Sequence, residues 1–149
     1  MYKHILVAVD GSHSSDLALH EAINLAKSLH SQLRLVHAVD EISASWYAAG
    51  YANPAEIWDA MVMTGRDILK KDAAAATRAG LETDTKLIEI NTPGRRIPEV
   101  IAEEADAWPA DLLIAGTHGR RGLSHMFLGS VAEGIVRVST RPVLLIRGA

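Results

Sequence analysis

Cysteine is absent from the 149 residues, so disulfide scaffolds and thiolate metal centres are excluded. Long apolar runs are absent too. None approaches the ~20 residues of a membrane span. The run after Lys3 covers only Ile5 to Val9 before Asp10 interrupts it, which leaves no pattern of a signal peptide. The formal net charge of −3 lacks the basic surplus of a nucleic-acid-binding surface. These absences lead to the expectation of a soluble, cytoplasmic protein with neither nucleic acid nor membrane as partner.

Several chemical signatures are also missing. There is no GxxxxGK loop followed by Ser or Thr, and no lysine lies between Gly116 and Ser130. Nothing resembles a G-x-S-x-G nucleophile elbow. His4, His13, His20, His30, His37, His118 and His125 form no HxH or HxxxH pair, so a metal reading fails on spacing. Structural or solvated roles are expected for them. His37 stands apart because it lies in a strand beside the expected ligand crevice. No catalytic residue and no metal ligand set is designated from the sequence.

What remains is an ordinary globular composition, 48% apolar and 22% charged, over a length that suits one domain of residues 1–149. Apolar runs suited to buried parallel strands recur at Ile5 to Val9, Leu33 to Val39, Thr85 to Ile90, Leu112 to Ala115 and Pro142 to Ile146. Segments of helical spacing lie between them. Ala18, Ala22, Leu25, Ala26 and Leu29 form the stripe of the first. The second runs from about Pro54 to Ala79 with Ile57, Met61, Ile68 and Leu69 as core contacts, and Gly80 as its stop. Ile97, Val100, Ile101 and Ala105 mark a third, ending near Trp108-Pro109, and Val131, Ile135 and Val138 a fourth.

Strand and helix alternate throughout, which predicts an α/β fold: a single five-stranded parallel sheet, order 3-2-1-4-5, with helices on both faces. In that order the boundary between the first and fourth strands is the topological switch point, where ligands bind beyond the carboxyl ends. Asp10 ends the first strand and Gly116 follows the fourth, so both face one crevice.

The stretch from Gly116 to Ser130, GTHGRRGLSHMFLGS, is the most informative part of the chain. It joins a strand to a helix start through glycines at 116, 119, 122 and 129. Glycine permits close approach of the backbone to an anion, and the free amides of a helix start attract one. Arg120, Arg121, Ser124 and Ser130 can donate to phosphate oxygens, with His118 and His125 as further donors. The alternative is that the glycines only make turns, with Ser130 as a cap. Asp10 likewise has several readings: a helix cap, an acceptor for an adenine amine, or a carboxylate reaching magnesium on a phosphate. Ligand contact is favoured for Asp10, and capping for Ser12, Ser14 and Ser15. Between Asp40 and Asn53 an irregular stretch carries Trp46, Tyr47 and Tyr51. It reads equally as a lid over a base or as a packing surface.

The spacing Gly116-x2-Gly119-x9-Gly129-Ser130 resembles the ATP-binding motif of the universal stress protein family. KHILVAVDGSHSS resembles that family's first strand and loop, LVHAVDE its second strand and RPVLLIR its closing strand. The resemblance covers the whole chain and implies a Rossmann-like, adenine nucleotide alpha hydrolase-like fold, usually a homodimer. By this resemblance Asp10 and the backbone near Ala8 and Ala38 frame adenine. Gly116 and Gly119 approach the ribose and phosphates, and Thr117, His118 and Arg120 belong to the same cofactor-binding stretch. Gly129, Ser130 and Val131 hold the phosphates. The edge strand Val143–Ile146 meets its partner across the dimer.

The implied cofactor is ATP, with or without Mg2+, and AMP or cyclic AMP are the alternatives. The implied function is an ATP-binding regulatory protein of the stress response, acting by nucleotide-linked conformational or partner control. A slow ATPase or nucleotidyl-transfer enzyme is one alternative, although the SGGxDS pattern of related ATP pyrophosphatases is missing: Asp10-Gly11-Ser12 stands in its place. A dimeric interaction module with a vestigial pocket is the other.

Overall fold

A computed structural model describes residues 1–41, 53–118 and 128–148. The strands are β1 (His4–Ala8), β2 (Gln32–Asp40), β3 (Thr83–Ile90), β4 (Leu112–Gly116) and β5 (Val143–Ile146). The helices are α1 (His13–Leu29), α2 (Pro54–Arg78), α3 (Ile97–Ala107) and α4 (Ser130–Val138). The strands form one sheet in the order β3-β2-β1-β4-β5, and every adjacent pair is parallel. The architecture is the one the alternation of runs predicts.

Two apolar layers explain the arrangement. In the central strands successive side chains point to opposite faces. Ile5, Val7, Leu33, Leu35, Leu112 and Ile114 face α1 and α2, meeting Ala18, Leu19, Ala22, Ala26, Leu69 and Ala76. Leu6, Val36, Leu113 and Ala115 face α3 and α4, meeting Ile101, Ala105 and Ile135. Because both faces are buried, the inner strands read as continuous apolar runs rather than alternating ones.

The helix ends follow local chemistry. Ser12 caps α1 with its hydroxyl, and Asn53 caps α2, where Pro54 occupies the first turn. After α2, Gly80 takes φ +84. Its N–H bonds to the Thr77 carbonyl at 2.9 Å and the Leu81 N–H to the Ala76 carbonyl at 3.2 Å, a glycine-terminated helix end.

Some expected core contacts differ. Ile57 and Met61 are only half-buried, whereas Gly65, Leu69, Asp72 and Ala76 are the buried residues of α2. The 25-residue helix is longer than the strands it covers, so its first turns lie outside the tight core. Val138 is 40% exposed, because α4 ends there and its last turn lacks a neighbouring layer. Among the described residues no helix is long and apolar enough to cross a membrane.

Candidate functional site

At their carboxyl ends β1 and β2 part company. Their pairing runs to Ala8 opposite Val36, extended by the Val9 N–H bonded to the Val36 carbonyl at 2.9 Å. Beyond that point β2 continues in register with β3 as far as Asp40 opposite Ile90, carrying Ala38 past the end of β1. Ala8 and Ala38 are both partly exposed there. His37 is buried, its Nδ1 lies 2.8 Å from the Val9 carbonyl, and its ring sits against Gly65 of α2. A carbonyl only accepts, so Nδ1 carries the proton. His37 is therefore wedged between the end of β1 and α2, and Gly65 leaves room for its ring.

Asp10 sits at the turn into α1. Its Oδ1 accepts from the Ser12 N–H at 2.9 Å, and its own N–H donates to Ser15 Oγ at 3.0 Å. Ser12 Oγ accepts from the Ser15 N–H at 3.1 Å, which satisfies one orphan amide of the helix start. Asp10 thus organises the β1–α1 turn with one carboxylate oxygen, and Ser12 and Ser15 serve the turn as the sequence suggests.

Ser14 does something the sequence did not reveal. It is buried in the first turn of α1, under the end of β4. A Cβ on Gly116 would lie 2.3 Å from Ser14 Oγ and 2.7 Å from its carbonyl oxygen. Gly116 is therefore required for the approach of β4 to α1. The His118 N–H donates to the same Ser14 hydroxyl at 3.3 Å.

Thr117 is 94% buried, and its bonds reach three elements. Its N–H donates to the Ile146 carbonyl of β5 at 2.9 Å, and its carbonyl accepts from the Gly129 N–H at 2.7 Å. Thr117 Oγ1 lies 3.0 Å from His118 Nδ1 and accepts from the Gly148 N–H at 3.4 Å. His118 Nε2 is buried and has no hydrogen-bond partner among the described residues.

Gly129 is the N-cap of α4, with φ −63 and no side-chain cap. The first helical bond runs from the Glu133 N–H to the Gly129 carbonyl at 2.9 Å. Ser130 is exposed on the first helical residue, and Val131 is partly buried against the core. The bond to Thr117 holds this helix start beside the end of β4. Gly119, Arg120, Arg121, Ser124 and His125 lie outside the described residues, as do Trp46, Tyr47 and Tyr51. Among the described residues no group of three or more His, Asp or Glu could hold a metal ion.

Asp72 of α2 is a further unexpected feature. It is buried, its Oδ2 lacks a hydrogen-bond partner among the described residues, and its carboxyl is pushed up to about 6. Burial is the main cause, with repulsion from Asp16 next and from Asp10 weaker, while Lys71 opposes them. The signal was legible: Leu69, Asp72 and Ala76 share one helix face, so Asp72 must point at the core.

Comparisons with known proteins agree with this fold. The model of the Universal stress protein family matches residues 1–147. A relative from Staphylococcus saprophyticus, named for that family, is 34% identical over 151 residues, covering 98% of this chain and 84% of its own. A solved member of the family from Burkholderia pseudomallei is 32% identical with a TM-score of 0.79, covering 99% of this chain and 97% of its own. A universal stress protein solved in complex with cAMP is 25% identical with a TM-score of 0.68, covering 99% of this chain and 98% of its own. By its fold and by its sequence over nearly its full length, the chain belongs to the universal stress protein family.

Proposed function

We propose that this chain is an ATP-binding regulatory protein, in which nucleotide occupancy changes conformation or partner affinity in the stress response. The observation that carries the reading is the start of α4. It begins at a glycine with no side-chain cap, next to the end of β4, at the topological switch point of the sheet. Uncapped helix amides in that position form an anion site ready for phosphate. The φ of −63 at Gly129 suits any residue, so a need for φ > 0 does not account for this glycine. Access to the amides does.

In this reading Asp10, with the backbone of Ala8 and Ala38, frames the adenine. Gly116, His118, Gly119 and Arg120 line the path to the phosphates, and the buried Thr117 of the same stretch positions the helix start where Gly129, Ser130 and Val131 hold them. Magnesium arrives with the triphosphate, within reach of Asp10. The relative solved with cAMP supports an adenine nucleotide as the ligand class.

A second copy of the chain is the proposed partner, through β5. Leu144 on that edge strand is 38% exposed and Val136 on the neighbouring α4 is 52% exposed. Pairing would cover apolar surface and an open sheet edge together. The proposed compartment is the cytoplasm.

The test is a thermal-shift titration with ATP, ADP, AMP and cyclic AMP, each with and without magnesium. A ligand at 100 times its Kd stabilises the folded state by ~2.7 kcal/mol. The expected result is a saturable shift that is largest with ATP and magnesium. The absence of a shift with all four nucleotides would refute the reading.

A further inference from the structure

We propose that Thr117 is a positioning residue that couples nucleotide occupancy at the start of α4 to the order of edge strand β5 and the chain just after it. The inference rests on the nucleotide reading above and adds to it the route by which occupancy reaches the sheet edge.

The geometry places three elements on one buried residue. The Thr117 carbonyl holds the Gly129 N–H at 2.7 Å, the N-cap of the helix that would receive the phosphates. The Thr117 N–H holds the Ile146 carbonyl at the end of β5 at 2.9 Å. Thr117 Oγ1 then accepts from the Gly148 N–H at 3.4 Å. Gly148 also lies beside the first turn of α1, where an added Cβ would come within 3.5 Å of Ser14 Cβ. The end of β5 is thus fastened to the same residue that fastens the anion-accepting helix.

The chemistry of the two links differs. The bond to Gly129 is short, whereas the hydroxyl bond to Gly148 is long, so the second link has room to tighten. A phosphate that loads the α4 amides also fixes Gly129, and Gly129 fixes Thr117. A residue held on one side leaves less freedom to the segment bonded on its other side, and that is positive coupling between ordering events. Coupling is reciprocal for binding equilibria, so a second copy seated on β5 would raise nucleotide affinity by the same factor that nucleotide raises pairing. The hydroxyl is the part of this link that a substitution can remove, because the two backbone bonds persist whatever the side chain.

The test is hydrogen exchange of the full chain, with MgATP held at a fixed multiple of each variant's own Kd. In the wild type, MgATP is expected to slow exchange at Ser130 and Val131 and also at Thr117 and Gly148, the latter pair by about fivefold or more. Thr117→Val should keep the first protection and lose the second at Gly148, and Thr117→Ser should restore it.

Several results would overturn the coupling. One is protection of Ser130 and Val131 without protection of Thr117 and Gly148 in the wild type. Another is nucleotide-dependent protection of Gly148 that survives undiminished in Thr117→Val. A Thr117→Val chain that folds but binds no MgATP would make Thr117 a ligand contact and not a positioning residue. If MgATP protects no amide in the wild type, the nucleotide reading fails first and takes this inference with it.

Discussion

Helix α1 begins at a serine whose side chain serves one of its free amides, whereas α4 begins at a glycine with no side chain to offer. Both starts flank the switch point of the sheet, one after β1 and the other close to the end of β4. At α1, Ser12 caps the helix, Asp10 closes the turn before it, and Asp16 stands in the first turn. Asp16 and Asp10 both repel the buried Asp72 carboxylate. An anion would find the Ser15 amide taken and the surroundings acidic. At α4 the cap is a glycine with no side chain to offer. Two helix starts of one sheet have therefore been given different tasks: α1 closes the fold, and α4 is left for a ligand. A glycine at an N-cap means most where a neighbouring helix shows how a closed start is built.

The comparison can be broken most forcefully by giving α4 the kind of cap that α1 has. Gly129→Asp would place a carboxylate on the α4 amides. A carboxylate cap improves on glycine by a few tenths of a kcal/mol. The unliganded protein should therefore melt at the same temperature or slightly higher. The ATP-induced stabilisation, ~2.7 kcal/mol at 100 times the wild-type Kd, should vanish. Opposite signs for the two effects separate loss of a site from loss of a fold, and differential scanning fluorimetry reads both.

A smaller effect is expected from Asp72→Asn, which relieves the acidic surroundings of α1. The folded-state value of about 6 lies above the ordinary 3.8, so the folded protein holds this proton more tightly than the unfolded chain does. The resulting stability is fully present below about 3.8 and is lost as pH rises through about 6. At neutral pH the buried charge is a net cost, and Asn removes it, for a gain on the order of 1–2 kcal/mol after its own burial is counted. Urea melts from pH 4 to pH 8 should show the wild type weakening with pH and the variant much less so. Equal slopes would remove Asp72 from the account.

The smallest effect sharpens the comparison from the other side. Ser12→Ala opens the start of α1 and should cost ~1 kcal/mol of stability. ATP affinity should remain within about twofold, a change of ~0.4 kcal/mol by the usual affinity arithmetic. Isothermal titration of the variant checks this. A tenfold loss of affinity would mean that the α1 start belongs to the binding surface after all.

The fold was largely legible because its signals are redundant. Leu112 to Ala115 is buried on both faces, so the run admits few other readings. Gly80 stops α2 where its left-handed backbone is needed. The candidate site was legible only in its outline. The strand order alone puts Asp10 and Gly116 at the carboxyl ends of the adjacent strands β1 and β4, as the sequence predicts. The reason for Gly116 was not legible: its missing side chain makes room for Ser14, more than a hundred positions away in sequence, and no local pattern records such an approach. Ser14 looked like one capping serine among several. Asp72 was overlooked although its spacing from Leu69 and Ala76 placed it inward, since a charged residue in a polar-looking helix draws the eye to its exposed face. Thr117 shows the same limit, since its three bonds join segments that only the folded chain brings together.

The most direct test of the difference between the two helix starts is a MgATP titration followed by amide nitrogen–proton NMR of the uniformly labelled chain. The account predicts saturable shifts at Ser130 and Val131 with a common Kd, and far smaller ones at Ser15 and Asp16, whose amides already bond to Ser12. Shifts of equal size at both helix starts, or at α1 alone, would contradict it.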